Sequence, residues 1–268
     1  MSNRPKQPQN VDTLKLNKEI AYKGAIGQKR EAFCIDYIKK KKEIIKQFHD
    51  DQVKTASNNG ETISCQRGCT YCCLVVMHAN VQECEAIVYY LYHHEIALSA
   101  FLKNFKKWRK QLRQNGDLFK ECAQLWQNKT TLGANQEAEL AYQESLTRYQ
   151  NQNIYCPFLQ DNVCLIYDVR PFSCAALIAT TPAQYCSPSR VKPAKYYVTR
   201  TPVIFDTSFY FNKIDEIILA FMPLVVYGII KDGYKLLSNF RGLEELEKTA
   251  MEDAQVRENI KRLGFPLG

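Results

Sequence analysis

Apolar residues along this chain recur mostly at three- and four-residue spacings, so most of the elements they predict are helices. Between Lys29 and Val53, Phe33, Tyr37, Ile38, Ile44, Ile45 and Phe48 keep that period, with Cys34 on or beside the same stripe. SNNGETIS, residues 57–64, is rich in turn formers, and LVVMHA, residues 74–79, is short and β-prone. Asn80 followed by Glu83 has the form of a helix N-cap with an acid at the third helical position, so VQECEAIVYYLYHHEIAL is read as a helix. Residues 101–150 are polar, with Phe105, Trp108, Leu112, Leu125, Trp126, Tyr142 and Tyr149 among the apolar anchors; this predicts two or three surface helices broken near Gly116 and Gly133. The apolar run Ile217–Ile230 contains Pro223 and Gly228 and falls short of the ~20 residues that span a bilayer. It reads as a buried, kinked helix, followed by a last helix that stops at Gly264 and Pro266.

Residues 1–28 are polar and lack a sustained period, which predicts a mobile or loosely docked segment. Residues 29–268 are expected to form a single, mainly α domain, with a small irregular or β-hairpin region carrying the cysteines.

With 46% hydrophobic residues among 268, the chain can fill a core without covalent staples. Its polar start has no secretory pattern, and with no transmembrane segment the expected location is the cytoplasm. Eleven cysteines in a reducing compartment are then metal ligands or packing residues sooner than disulfides. The net charge of +8 includes four consecutive lysines, Lys39–Lys42, read as a solvated helix face and not as a nucleic-acid contact.

Two stretches carry the chemistry. CQRGCTYCC places Cys65, Cys69, Cys72 and Cys73 within nine positions, with Gly68 available for a tight turn. CPFLQDNVCLIYDVRPFSC adds Cys156, Cys164 and Cys174, and Cys186 follows after TPAQY. Gln160, Asp161 and Asn162 are turn formers midway between Cys156 and Cys164, so a hairpin should bring those two cysteines together. Pro171 is a good first residue for a helix whose start favours the Cys174 thiolate. Adjacent Cys72 and Cys73 can both serve only in irregular backbone or in a polynuclear site, unless one is spare. Eight candidates in two groups allow one four-thiolate site with spares, two sites, or one cluster. Gln66, Arg67, Gly68 and Thr70 are not the company of core cysteines, whereas Cys84 and Cys122 sit at helical spacing among apolar residues and read as packing. Arg170, between two ligand candidates, either donates hydrogen bonds around the site or pairs with Asp168. His78 reads as a packed residue and not a fourth ligand.

CQRGCTYC also matches the CxxxCxxC pattern of radical S-adenosylmethionine enzymes, but the repeating strand–helix context of those enzymes does not follow it. Taken together and in order, CQRGCTYCC, CPFL, CLIY and RPFSC resemble the YkgJ-type family of zinc- or iron-chelating cysteine-cluster proteins. The resemblance runs from Cys65 to Cys174 and implies that Cys65, Cys69, Cys72, Cys73, Cys156, Cys164 and Cys174 hold Zn2+ or an iron–sulfur cluster. Tyr167, Arg170 and Pro171 match the family's IY and RP positions, while Ala175 stands where members often carry a basic residue and Cys186 lies outside the motif.

The first functional expectation is therefore a protein that binds a metal ion or cluster, for structure, for redox chemistry or for delivery to a protein client. A second follows from the family's enzymatic relatives, the flagellin lysine N-methylases: methyl transfer from S-adenosylmethionine to a protein lysine, although no Rossmann-type glycine fingerprint is present. A third is a zinc-organised basic adaptor, with Lys39–Lys42, Arg190, Lys192, Lys195 and Arg200 as its footprint and Tyr196 and Tyr197 for stacking.

Overall fold

The longest stretch of helical period becomes α1 (Gly24–Asn58) in a computed structural model that describes residues 22, 24–132, 135–190, 192–198 and 221–232. Its inward stripe is Phe33, Tyr37, Lys41, Phe48, Gln52 and Ala56, spaced by four or seven residues. The helix begins before Lys29, so residues 24–28 of the segment expected to be mobile or loosely docked are helical; apart from Tyr22, the rest of 1–28 lies outside the described residues. A Cβ at Gly27 would collide with the Tyr22 backbone, and the glycine lets the Tyr22 ring lie edge-on against Tyr89 and Tyr92.

The lysine run is not uniformly solvated. Lys39, Lys40 and Lys42 are exposed, but Lys41 falls on the inward stripe and is only 1% exposed. It donates to the Val169 carbonyl at 2.9 Å and lies 3.8 Å from Glu83. Burial pulls its ammonium below the ordinary lysine value, and the charge of Glu83 opposes that pull.

α2 (Val81–Tyr92) is buried on nearly every side, as a central helix should be. It starts at the capping box expected from Asn80 and Glu83: the Asn80 side chain accepts from Glu83 N–H at 2.8 Å, and the Glu83 carboxylate accepts from Asn80 N–H at 3.3 Å. The same carboxylate accepts from Phe172 N–H at 2.7 Å, tying the helix start to the second cysteine stretch. Glu85, one turn along, is fully buried against Arg30, whose Nε donates to it at 2.9 Å.

α3 (Glu95–Gln114) turns Leu98, Phe101, Phe105, Trp108 and Leu112 inward and keeps its lysines outside. α4 (Gly116–Leu132) and α5 (Gln136–Gln150) pack on each other with Cys122 buried between them, its thiol donating to the Ser145 carbonyl at 3.4 Å. Cys84 is likewise fully buried, so both cysteines read as packing residues are in the core. β1 (Leu159–Gln160) and β2 (Val163–Cys164) form the hairpin expected between Cys156 and Cys164, and Asp161 and Asn162 take the positive φ of 49° and 61° that its two-residue turn needs. One turn of helix, α6 (Phe172–Ala175), follows Pro171, and β3 (Leu177–Ala179) pairs antiparallel with β4 (Tyr196–Val198).

α7 (Met222–Asp232) lies against α2, and its Tyr227 stacks on Phe105 at 4.2 Å. Pro223 stands in its first turn, where the missing N–H has no partner to lose. LVVMHA makes one antiparallel bridge, His78 to Phe221, beside a hydrogen bond from Met222 N–H to the Met77 carbonyl at 2.9 Å. The helix expected to end at Gly264 lies outside the described residues, as do residues 217–220 of the apolar run. The architecture is mainly α, with two small two-stranded sheets. Among the described residues no helix is long and apolar enough to cross a membrane.

Candidate metal centre

The two cysteine stretches meet on one cavity of ≈ 160 Å³ whose wall includes Cys65, Cys69, Cys72, Cys73, Cys156, Cys164, Cys174 and Cys186. Their approach is fixed by backbone. Cys156 N–H donates to the Cys73 carbonyl at 2.7 Å, and Gly68, at φ 95°, lies beside the Asn162 carbonyl of the hairpin turn. Cys72 and Cys73 sit in the 3-10 turn Tyr71–Leu74, which lets two adjacent side chains reach the same cavity.

Backbone donors face the sulfurs: Ala179 N–H donates to Cys65 Sγ at 3.2 Å, and N–H groups at Phe158 and Ile166 serve Cys156 and Cys164. Such bonds orient thiolates and offset their charge. Arg170 lines the cavity, and its positive charge favours the thiolate form at Cys72, Cys65, Cys164 and Cys174. Its guanidinium lies 4.1 Å from the Tyr167 ring centre, and that of Arg67 lies 5.2 Å from the same ring. Among the described residues no ion pair joins Arg170 to Asp168.

Burial and neighbouring thiols favour the protonated form at Cys65, Cys73, Cys156, Cys164, Cys174 and Cys186. The Cys73 thiol donates to Cys72, which drops to about 7 while Cys73 rises far above the ordinary value. Burial pushes Cys156 up to about 12 and raises Cys65, Cys164, Cys174 and Cys186. Core Cys34 and Cys84 are raised for the same reason. These shifts carry two pH effects of opposite sign. A thiolate ligand must first lose its proton, so affinity for Zn2+ or Co2+ is expected to rise with pH above about 7. The metal-free protein, whose buried thiols stay protonated when unfolded ones ionise, is expected to lose stability above about pH 8.5. Competition titrations and denaturant midpoints across that range test both, and parallel trends would contradict the assignment.

Among the described residues no three His, Cys, Asp or Glu side chains converge closely enough to cage one metal ion. The cavity is also wide: a single water-sized occupant needs only roughly 10–15 Å³.

His78 does not line the cavity; its ring stacks on Trp126 at 4.1 Å. The histidine that does is His49 on α1, which no sequence motif marks, although it follows the inward Phe48 directly. Tyr196 also lines the cavity and donates to Cys186. Part of the basic footprint is engaged internally: Lys195 pairs with Glu61, the Tyr197 hydroxyl donates to Glu61 at 3.1 Å, and Lys41 is buried. Arg200 lies outside the described residues. No family model, curated protein or solved structure matches the chain.

Proposed function

We propose that this protein binds a polynuclear metal–thiolate cluster, iron–sulfur in kind, between its two cysteine groups. One observation carries the reading: eight thiols from two distant segments line a cavity too wide for one ion, with no three of them aimed at a common point. A mononuclear zinc site needs four donors about 2.3 Å from one centre, whereas a cluster spreads its thiolates over several metal atoms. The donors to Cys65, Cys156 and Cys164 and the charge of Arg170 suit a group whose ligands bring several negative charges. The ordered resemblance to the YkgJ-type cysteine-cluster family supports the same ligand set. When bound, such a cluster supplies one-electron transfer or an iron that acts as a Lewis acid; the residues here hold, orient and partly screen it from water.

Anaerobic purification with metal and sulfide analysis tests this. The expected protein is brown, with iron and acid-labile sulfide; colourless protein with stoichiometric zinc and no iron overturns the proposal.

A further inference from the structure

α3 carries charge of one sign. Between Ile96 and Gln114 it has six basic residues, Lys103, Lys106, Lys107, Arg109, Lys110 and Arg113, and no acid. All but Arg109 are exposed, and among the described residues none of the six is in an ion pair. On α1, by contrast, the exposed lysines are interleaved with Asp36, Glu43, Asp50 and Asp51, and Lys46 is paired with Asp50 at 2.6 Å. Helical spacing sets Lys103, Lys107 and Lys110 in one row with Ile96, which is 87% exposed. From Lys103 to Arg113 the basic face extends about 15 Å.

This face is attached to the cavity. Phe101 stacks on Phe158 of the cavity wall, with ring centres 4.3 Å apart. Asn104, between Lys103 and Lys107, donates to the Leu159 carbonyl at 3.1 Å and to the Gln160 side chain at 3.3 Å. Gln160 faces Val163 across the hairpin, and Val163, 40% exposed, directly precedes Cys164. One surface therefore joins a basic row to an apolar side chain next to a candidate ligand. A small apolar contact with charges about it is the make-up of a weak, transient protein docking site. Nucleic acid suits it less: Phe101, Phe105 and Trp108 are all buried, so the row offers no aromatic ring on which a base could stack. An anionic membrane also suits it less, because the apolar face of α3 is already committed to the core and cannot enter lipid.

We propose that the basic row of α3, together with Val163 of the hairpin, docks an acidic one-electron carrier protein that exchanges electrons with the cluster. The proposal rests on the cluster reading above and deepens it by naming the class of the partner. One electron passes between carrier and cluster, so that one is oxidised and the other reduced by one equivalent, and no bond is made or broken. Opposite charges steer the encounter and raise its rate, while Val163 brings the partner to the strand that holds Cys164.

The test follows, by stopped flow, one-electron exchange between the iron-loaded protein and a plant-type ferredoxin of acidic surface, in the direction their potentials favour. The wild type is compared with Lys103→Glu/Lys107→Glu/Lys110→Glu and with Lys39→Glu/Lys40→Glu/Lys42→Glu, which changes the net charge equally on α1; circular dichroism and iron content check both. The α3 variant is expected to exchange at least about tenfold more slowly at low salt and to lose the salt dependence of the wild-type rate. The α1 variant is expected to stay within about threefold of wild type, and reaction with the methyl viologen radical cation to slow in neither. An α3 variant as fast as wild type, an equal fall in both variants, or a wild type that does not exchange with ferredoxin overturns the proposal. So does uptake of duplex DNA, RNA or phosphatidylserine vesicles at about 0.15 M salt that is tighter than uptake of ferredoxin and lost in the α3 variant. A wild type without iron overturns the cluster reading instead. Binding of oxidised ferredoxin by that protein, lost in the α3 variant alone, then supports the docking face, and no binding overturns it.

Discussion

Lys41→Ala is expected to lower the unfolding free energy by about 3–5 kcal/mol, the range for removing one member of a buried charge pair. The loss is larger than the 3.8 Å separation from Glu83 suggests, because the carboxylate stays behind at 3% exposure with its charge uncompensated. The Val169 carbonyl also loses its donor. Val169 and Phe172 enclose Arg170 and Pro171 and lead directly to Cys174, so metal loading should fall along with the urea midpoint. Lys41→Met combined with Glu83→Gln removes both charges at similar volume and is expected to recover most of the loss. Urea unfolding followed by the fluorescence of Trp108 and Trp126 measures it. A Lys41→Ala variant within about 0.5 kcal/mol of wild type would place the side chain at the surface.

Cys156→Ser is expected to abolish metal retention, while Cys84→Ala leaves it unchanged. Cys84 is buried and Cys156 half-buried, but the contrast comes from what they face. Cys156 lines the cavity beside Cys72, Cys73, Cys164 and Cys174; a serine hydroxyl there is a poor exchange for a soft thiolate. Cys84 lies in the core near Lys41 and Glu83, outside the cavity wall, where it acts as a small apolar side chain. Metal per chain after gel filtration measures the difference. Full metal content in Cys156→Ser, or equal loss in both variants, would remove the second cysteine stretch from the site.

Local rules made part of this molecule legible in the sequence. Asn80 and Glu83 mark the start of α2 because a capping box is satisfied within four residues, and Asp161–Asn162 mark a hairpin because few other residues accept positive φ in succession. Cys84 and Cys122 read as core because their neighbours at helical spacing are apolar. Lys41 escaped notice because four lysines in a row look alike. Only its position four residues after Tyr37 and seven before Phe48 places it on the buried stripe, and its partners lie more than forty residues away. His49 and Tyr196 escaped for a related reason: each reaches the cavity through the packing of its own element, which no local spacing encodes.

The hydrogen bond from Cys156 N–H to the Cys73 carbonyl also bears on how the chain folds. The helices between those residues are built from local interactions and can form early, whereas the cavity needs residues far apart in sequence and must close late. Closing so long a loop costs little more than closing a shorter one, about 0.6 kcal/mol for each doubling of length. During synthesis, CQRGCTYCC therefore emerges with its thiols exposed and waits for the rest of its cage. Under the proposed cluster reading, metal supply and oxygen exposure in that interval are expected to limit maturation more than chain entropy does.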